Sequence, residues 1–75
     1  MKKQYKITKE KYLEAQRAIF ANGGKVYRND TFEIQGVEGA FKFFEEKEII
    51  VIVITDKPWL ASWEMIEKKL DEFFK

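Results

Sequence analysis

Apolar and polar positions along this 75-residue chain fall into three successive patterns: a helical stripe, several short alternating runs, and a second helical stripe. From Thr8 to Asn22, the side chains of Tyr12, Leu13, Gln16, Ile19 and Phe20 recur at three- and four-residue spacing, the signature of an amphipathic helix. Thr8 suits the cap, where its hydroxyl accepts a backbone N–H, and Glu10 suits the positive first turn. The "ANGGK" segment supplies the Asn and Gly that a helix terminus favours.

The middle of the chain changes period. "KVYR" reads as a short strand, "ND" as a turn, and "TFEIQ" alternates with Phe32 and Ile34 on one side and Thr31, Glu33 and Gln35 on the other. Gly36 and Gly39 in "GVEG" mark a turn or a kinked bulge before "AFKFFE". The run "IIVIVI", residues 49–54, then forms the last strand. A loop of Glu45 through Glu48 sets Phe44 opposite Ile49 and Phe43 opposite Ile50. One face of this hairpin then carries Phe41, Phe43, Ile50, Ile52 and Ile54. The other carries Ala40, Lys42, Phe44, Ile49, Val51 and Val53.

The final helix is expected over Pro58 to Phe74, with Asp56 as its cap, or Ser62 if it starts later. Trp59, Trp63, Ile66, Leu70 and Phe73 make its apolar stripe, with the tryptophan pair read as core and Trp59 partly exposed at the helix start, and Glu64, Lys68, Asp71 and Lys75 lie opposite. No crossover segment is long enough for parallel strands, so the strands form an antiparallel meander. The expectation is one α+β domain over residues 1–75: two layers, a three- or four-stranded sheet, and both helices on one face.

That arrangement leaves a question of coverage. A sheet with one solvated face normally alternates apolar and polar residues, and "IIVIVI" does not. Ala40, Phe44, Ile49, Val51 and Val53 would form an apolar patch bordered by the polar Thr31, Glu33 and Gln35. Such a patch marks an interaction surface. The reading is a homodimer, paired through this second face or through the edge of the final strand.

Composition narrows the chemistry. There is no histidine and no cysteine, so the commonest general base, transition-metal ligand and thiol nucleophile are missing. Ser62 is the only serine, and a Ser-His-Asp arrangement is impossible. Glu45, Glu46 and Glu48 cluster at a hairpin tip, where solvent gives no reason for their pKa values to separate. "NGGK" follows a helix rather than preceding one, unlike a phosphate loop. These features point away from an enzyme and imply no cofactor or metal. The longest apolar run is six residues, far short of the roughly 20 of a spanning helix. A cytoplasmic, cysteine-free interaction module with an unknown protein partner is the expectation.

Charge offers an alternative. Residues 1–30 hold eight Lys or Arg against three acids, while residues 31–75 hold six against ten. Lys6, Lys9, Arg17, Lys25, Tyr27 and Arg28 could hold a phosphate backbone and stack a base, which makes nucleic-acid binding the second reading. No helix-turn-helix or zinc-finger pattern accompanies them.

The stretch "GVEGAFKFFEEKEIIVIVITDKPWLASWEMIEKKLDEFF", with its Gly-Val-x-Gly turn, hydrophobic strand, Pro-Leu segment and terminal "IEKKLDEFF" helix, resembles small bacterial polyhydroxyalkanoate granule or synthesis regulators. The likeness runs over about Thr8 to Phe74 and rests on layout. It implies a small non-enzymatic regulatory protein and transfers no functional residue.

Overall fold

The computed structural model describes all residues from Met1 to Lys75 and is α+β. Its elements are β1 (Lys2–Lys6), α1 (Lys9–Ala21), β2 (Lys25–Val26), β3 (Thr31–Ile34), β4 (Val37–Phe44), β5 (Ile49–Asp56) and α2 (Trp63–Phe74). The five strands form one antiparallel sheet in the order β1-β5-β4-β3-β2. Both helices cover one face. Tyr12 of α1 stacks on Phe43 at 4.7 Å between ring centroids, and Ile66 of α2 joins the buried residues of the sheet.

β1 is the strand that the sequence pattern did not anticipate. Within it Tyr5 points into the core, followed by Ile7 just beyond, while Lys2, Gln4 and Lys6 face outward. The alternation is present but masked by Lys3. That lysine points toward α2, where its ammonium lies 3.4 Å from Glu67 and 3.5 Å from Asp71. β1 pairs with the whole outer edge of β5, from Lys2–Val53 to Lys6–Ile49. β5 is therefore an interior strand with no free edge. Dimerisation through the edge of the final strand is excluded because β1 occupies it.

The hairpins follow local chemistry. β3 and β4 are joined by Gln35 and Gly36, both at positive φ, the two-residue turn whose twist matches the flanking strands. Gly36 fits this geometry without a side-chain clash. β4 and β5 are joined by Glu45–Glu48, and Phe44 faces Ile49 and Phe43 faces Ile50 as the pattern requires. The β4–β5 register shifts between Glu38 and Gly39, so the glycines of "GVEG" supply both a turn and a bulge. β2 is shorter than "KVYR", because Tyr27 and Arg28 already belong to the turn that returns to Thr31.

α1 begins after the Thr8 cap, whose hydroxyl oxygen accepts from the Lys11 N–H at 3.2 Å. α2 begins later than Pro58. A turn closed by the Ala61 N–H and Pro58 carbonyl precedes it, and Ser62 caps it by accepting from the Met65 N–H at 3.1 Å. The Asp56 carboxylate instead accepts from the adjacent Lys57 N–H. This later start changes the inward stripe to Ile66, Leu70 and Phe74. Trp63 is 42% exposed and Trp59 86% exposed, so neither is core. Leu13 and Phe20 of α1 are likewise exposed. Asp71, expected to face solvent, is half-buried against β1.

The core lies between the sheet and the helices. Phe32, Phe41, Ile50, Ile52 and Ile54 supply the sheet side, and Tyr5, Ile7 and Ile66 complete it.

Candidate functional site

The face of the sheet away from the helices is built in rows, because cross-strand partners share a side. Lys2, Val53, Ala40 and Thr31 form one row. Gln4, Val51 and Lys42 form the next, and Lys6, Ile49 and Phe44 the third. Glu33 opposes Glu38 on the same face, with Lys25 beyond. The structure thus brings Ala40, Phe44, Ile49, Val51 and Val53 together as one apolar strip on the two longest strands. Phe44 is 41% exposed, and the other four are half-buried.

Lysines frame this strip. Lys2 and Lys6 flank it on β1, and Lys42 lies within it with its ammonium 5.7 Å from the Phe44 ring centre. Lysine stems can lie along apolar neighbours while their ammonium groups remain in water. The β1 lysines were not part of the expected surface, because β1 itself was missed. The clue was the alternation of Tyr5 and Ile7 with Gln4 and Lys6. On this face Lys2 and Lys6 lie along β1, Glu33 and Glu38 on β3 and β4, and Lys42 and Lys25 on β4 and β2.

The six basic and aromatic residues of the nucleic-acid reading do not share one surface. Lys6 and Lys25 lie on the open face at opposite edges of the sheet. Lys9 and Arg17 lie on α1, in the other layer, and the Lys9 ammonium lies 3.4 Å from Glu45. Tyr27 and Arg28 belong to the β2–β3 turn.

On the helical side, a compact network ties α2 to β1. The Tyr5 hydroxyl donates to the Asp71 carboxylate at 2.7 Å, and Lys3 lies beside that carboxylate. The hydrogen bond from Tyr5, aided by Lys3 and Lys75, holds the Asp71 carboxyl below the usual carboxylate range. Burial, reinforced by the Asp71 hydrogen bond, pushes the Tyr5 hydroxyl well above its ordinary value. Both shifts favour the charged carboxylate and the neutral phenol, the pair needed for the lock. Such perturbed groups can mark catalysis, but structural networks also produce them. Here both partners serve the helix–sheet contact.

Two further apolar features remain open. The segment before α2 exposes Trp59 and Leu60, the latter at 77%. A cleft of about 490 Å³ over the sheet is lined by residues of both helices. No helix is long and apolar enough to cross a membrane. Comparison of the chain with protein-family models, with curated proteins and with solved structures gave no significant match.

Proposed function

We propose that this protein is a small non-enzymatic interaction module that self-associates through the open face of its sheet. The supporting observation is the uninterrupted strip of Ile49, Val51 and Val53 at the centre of that face, bordered by Ala40 and Phe44. The core already uses the alternate residues Ile50, Ile52 and Ile54. Interior demand therefore does not account for apolar side chains on the other side.

Charge selects one way of pairing two copies. Consider a twofold axis parallel to the strands, between β4 and β5. It places β4 of each copy over β5 of the other, so Phe44 and Ala40 pack on the partner's aliphatic strip. It also carries the lysine-bearing β1 over β3, bringing Lys2 toward the Thr31–Glu33 region. An axis across the strands would instead set β1 on β1, lysine against lysine. Charge at the outer strands, β1 over β3 rather than β1 over β1, favours the first arrangement, while Lys42 of each copy lies near the axis. The first arrangement also gives the near-aligned strands common in packed sheets.

The test is molecular mass by light scattering at tens of micromolar. A dimer is expected for the wild type, and a monomer with an intact helical signal for Val51→Lys. The charge reversal Glu33→Lys should weaken the dimer, and adding Lys2→Glu should restore it. A monomeric wild type would overturn the proposal.

A further inference from the structure

The segment between β5 and α2 is a second unassigned surface. The Ala61 N–H donates to the Pro58 carbonyl at 3.0 Å, so residues 58–61 form a turn with Trp59 and Leu60 at its two corners. Both ends of the turn are held. Pro58 packs on Gly36 so closely that a Cβ there would lie 2.8 Å from the proline Cγ, and Ser62 caps α2. Turn corners usually carry Gly, Pro, Asn, Asp or Ser. Here they carry Trp and Leu, the two most exposed large apolar side chains of the chain. Neither packs against the core, and the turn closes through backbone atoms, so neither packing nor turn geometry calls for them.

We infer that this turn docks on an uncharged lipid surface, with Trp59 and Leu60 inserted at the level of the headgroups. Shape, chemistry and charge each restrict the partner. A corner that projects two apolar side chains has no concavity for a small ligand, and it enters a yielding medium without a matching pocket. An indole joins an apolar ring to one N–H, which suits the boundary between acyl chains and water. Trp63 and Met65, exposed in the first turn of α2, follow directly behind the tip. The contact is peripheral, because no helix is long and apolar enough to cross a membrane.

Charge selects the kind of lipid. Around the turn, Asp56, Glu64 and Glu38, the cross-strand partner of Asp56, stand against Lys57. The Lys57 ammonium lies 5.3 Å from the Trp63 ring centre. Anionic headgroups and nucleic acid are held by clusters of lysine and arginine, and this end of the sheet offers the reverse balance. A zwitterionic surface fits it. The dimer adds a reason for a flat target, and this step alone rests on the pairing proposed above. A twofold axis parallel to the strands preserves their direction, so β5 of both copies ends at Asp56 on the same side. Two tips then face one plane.

Binding of the full chain to phosphatidylcholine vesicles tests the inference, read by co-sedimentation and by quenching of tryptophan fluorescence with acyl-brominated phosphatidylcholine. Saturable binding is expected, with Trp59 quenched in a Trp63→Phe background. Trp59→Ser combined with Leu60→Ser should weaken binding at least tenfold and leave the far-UV circular dichroism unchanged, since both side chains stand outside the core. Adding phosphatidylserine to the vesicles, or salt to the buffer, should change the affinity less than twofold. Val51→Lys should bind through the same tip, several-fold more weakly for loss of the second contact. A monomeric wild type that binds through Trp59 and Leu60 refutes the dimer and supports the lipid contact. The inference is overturned by absence of saturable binding, by undiminished binding of the double serine variant, by an unquenched Trp59, or by binding that requires phosphatidylserine.

Discussion

Replacing Gly39 by alanine tests whether the bulge on β4 is a requirement of the fold. The added Cβ would overlap the Val53 carbonyl oxygen of β5 and lie 3.0 Å from two carbons of the Phe32 ring. The ring can tilt by a few tenths of an ångström. The carbonyl can retreat only if β4 and β5 separate at the register shift. Overpacking of this kind costs about 1–3 kcal/mol. Restricting the unfolded chain returns about 0.4–1 kcal/mol. Taking the middle of each range, the net loss is about 1.3 kcal/mol, or a fall in Tm of about 5–10 °C for a domain of this size. Thermal and urea unfolding followed by far-UV circular dichroism measures it. Tryptophan fluorescence is a poorer probe because Trp59 and Trp63 are both exposed. An unchanged urea m-value would show that the loss is in stability itself. A Gly39→Ala protein that melts within a degree of the wild type, or above it, would refute the close-approach argument.

Other positions give sharper contrasts. Ser62→Ala removes the hydroxyl that accepts from the Met65 N–H and should lower stability by about 1 kcal/mol in urea unfolding. Ile50, only 2% exposed, should lose about 2–5 kcal/mol on truncation to alanine. Val51→Ala on the opposite face should lose clearly less in the same assay. The Asp71 carboxyl is depressed in the fold, so its contribution is complete above the ordinary carboxylate range and is lost as pH falls below it through the lowered folded value. Asp71→Asn should flatten the acid limb of a stability–pH curve measured by urea unfolding. The Tyr5 hydroxyl is shifted upward, so its contribution is present below about pH 10 and declines as pH rises further. Tyr5→Phe should flatten that alkaline decline.

The legible parts of the fold were those in which one local signal acted alone. Thr8 capped α1 as its hydroxyl suggested, and the Glu45–Glu48 loop fixed the β4–β5 register on which both faces depend. Failures came where tertiary partners changed the meaning of a residue. Lys3 made β1 look like a polar tail, yet it is held between β1 and the acids of α2. Trp59 and Trp63 continued the helical spacing of Ile66 and Leu70, but Ser62 captured the Met65 N–H and started the helix after Trp59. The apolar strip was legible because cross-strand register follows from the hairpin. Its lysine frame was not, because β1 and β5 are far apart in sequence. The cleft depends on how the two helices sit relative to each other, which a stripe pattern on each helix does not specify.

The five-strand order changes what needs to be covered on β5. An interior strand has its backbone bonds satisfied on both sides, so in the proposed dimer contact on β5 would be made by side chains and leave the β-ladder closed. Each outer residue of β5 has one neighbour on β1 and one on β4: Lys2 and Ala40 beside Val53, Gln4 and Lys42 beside Val51, Lys6 and Phe44 beside Ile49. These neighbours leave the three residues half-buried. The β1 edge itself carries outward lysines, a device that discourages strand addition. The proposed association would therefore use the face of the sheet rather than its edge. A face-to-face contact is finite and can close after two copies, whereas edge pairing can continue from chain to chain. The lysines consequently have two connected effects in the proposed assembly: they oppose growth at the edge and orient the pairing of the faces.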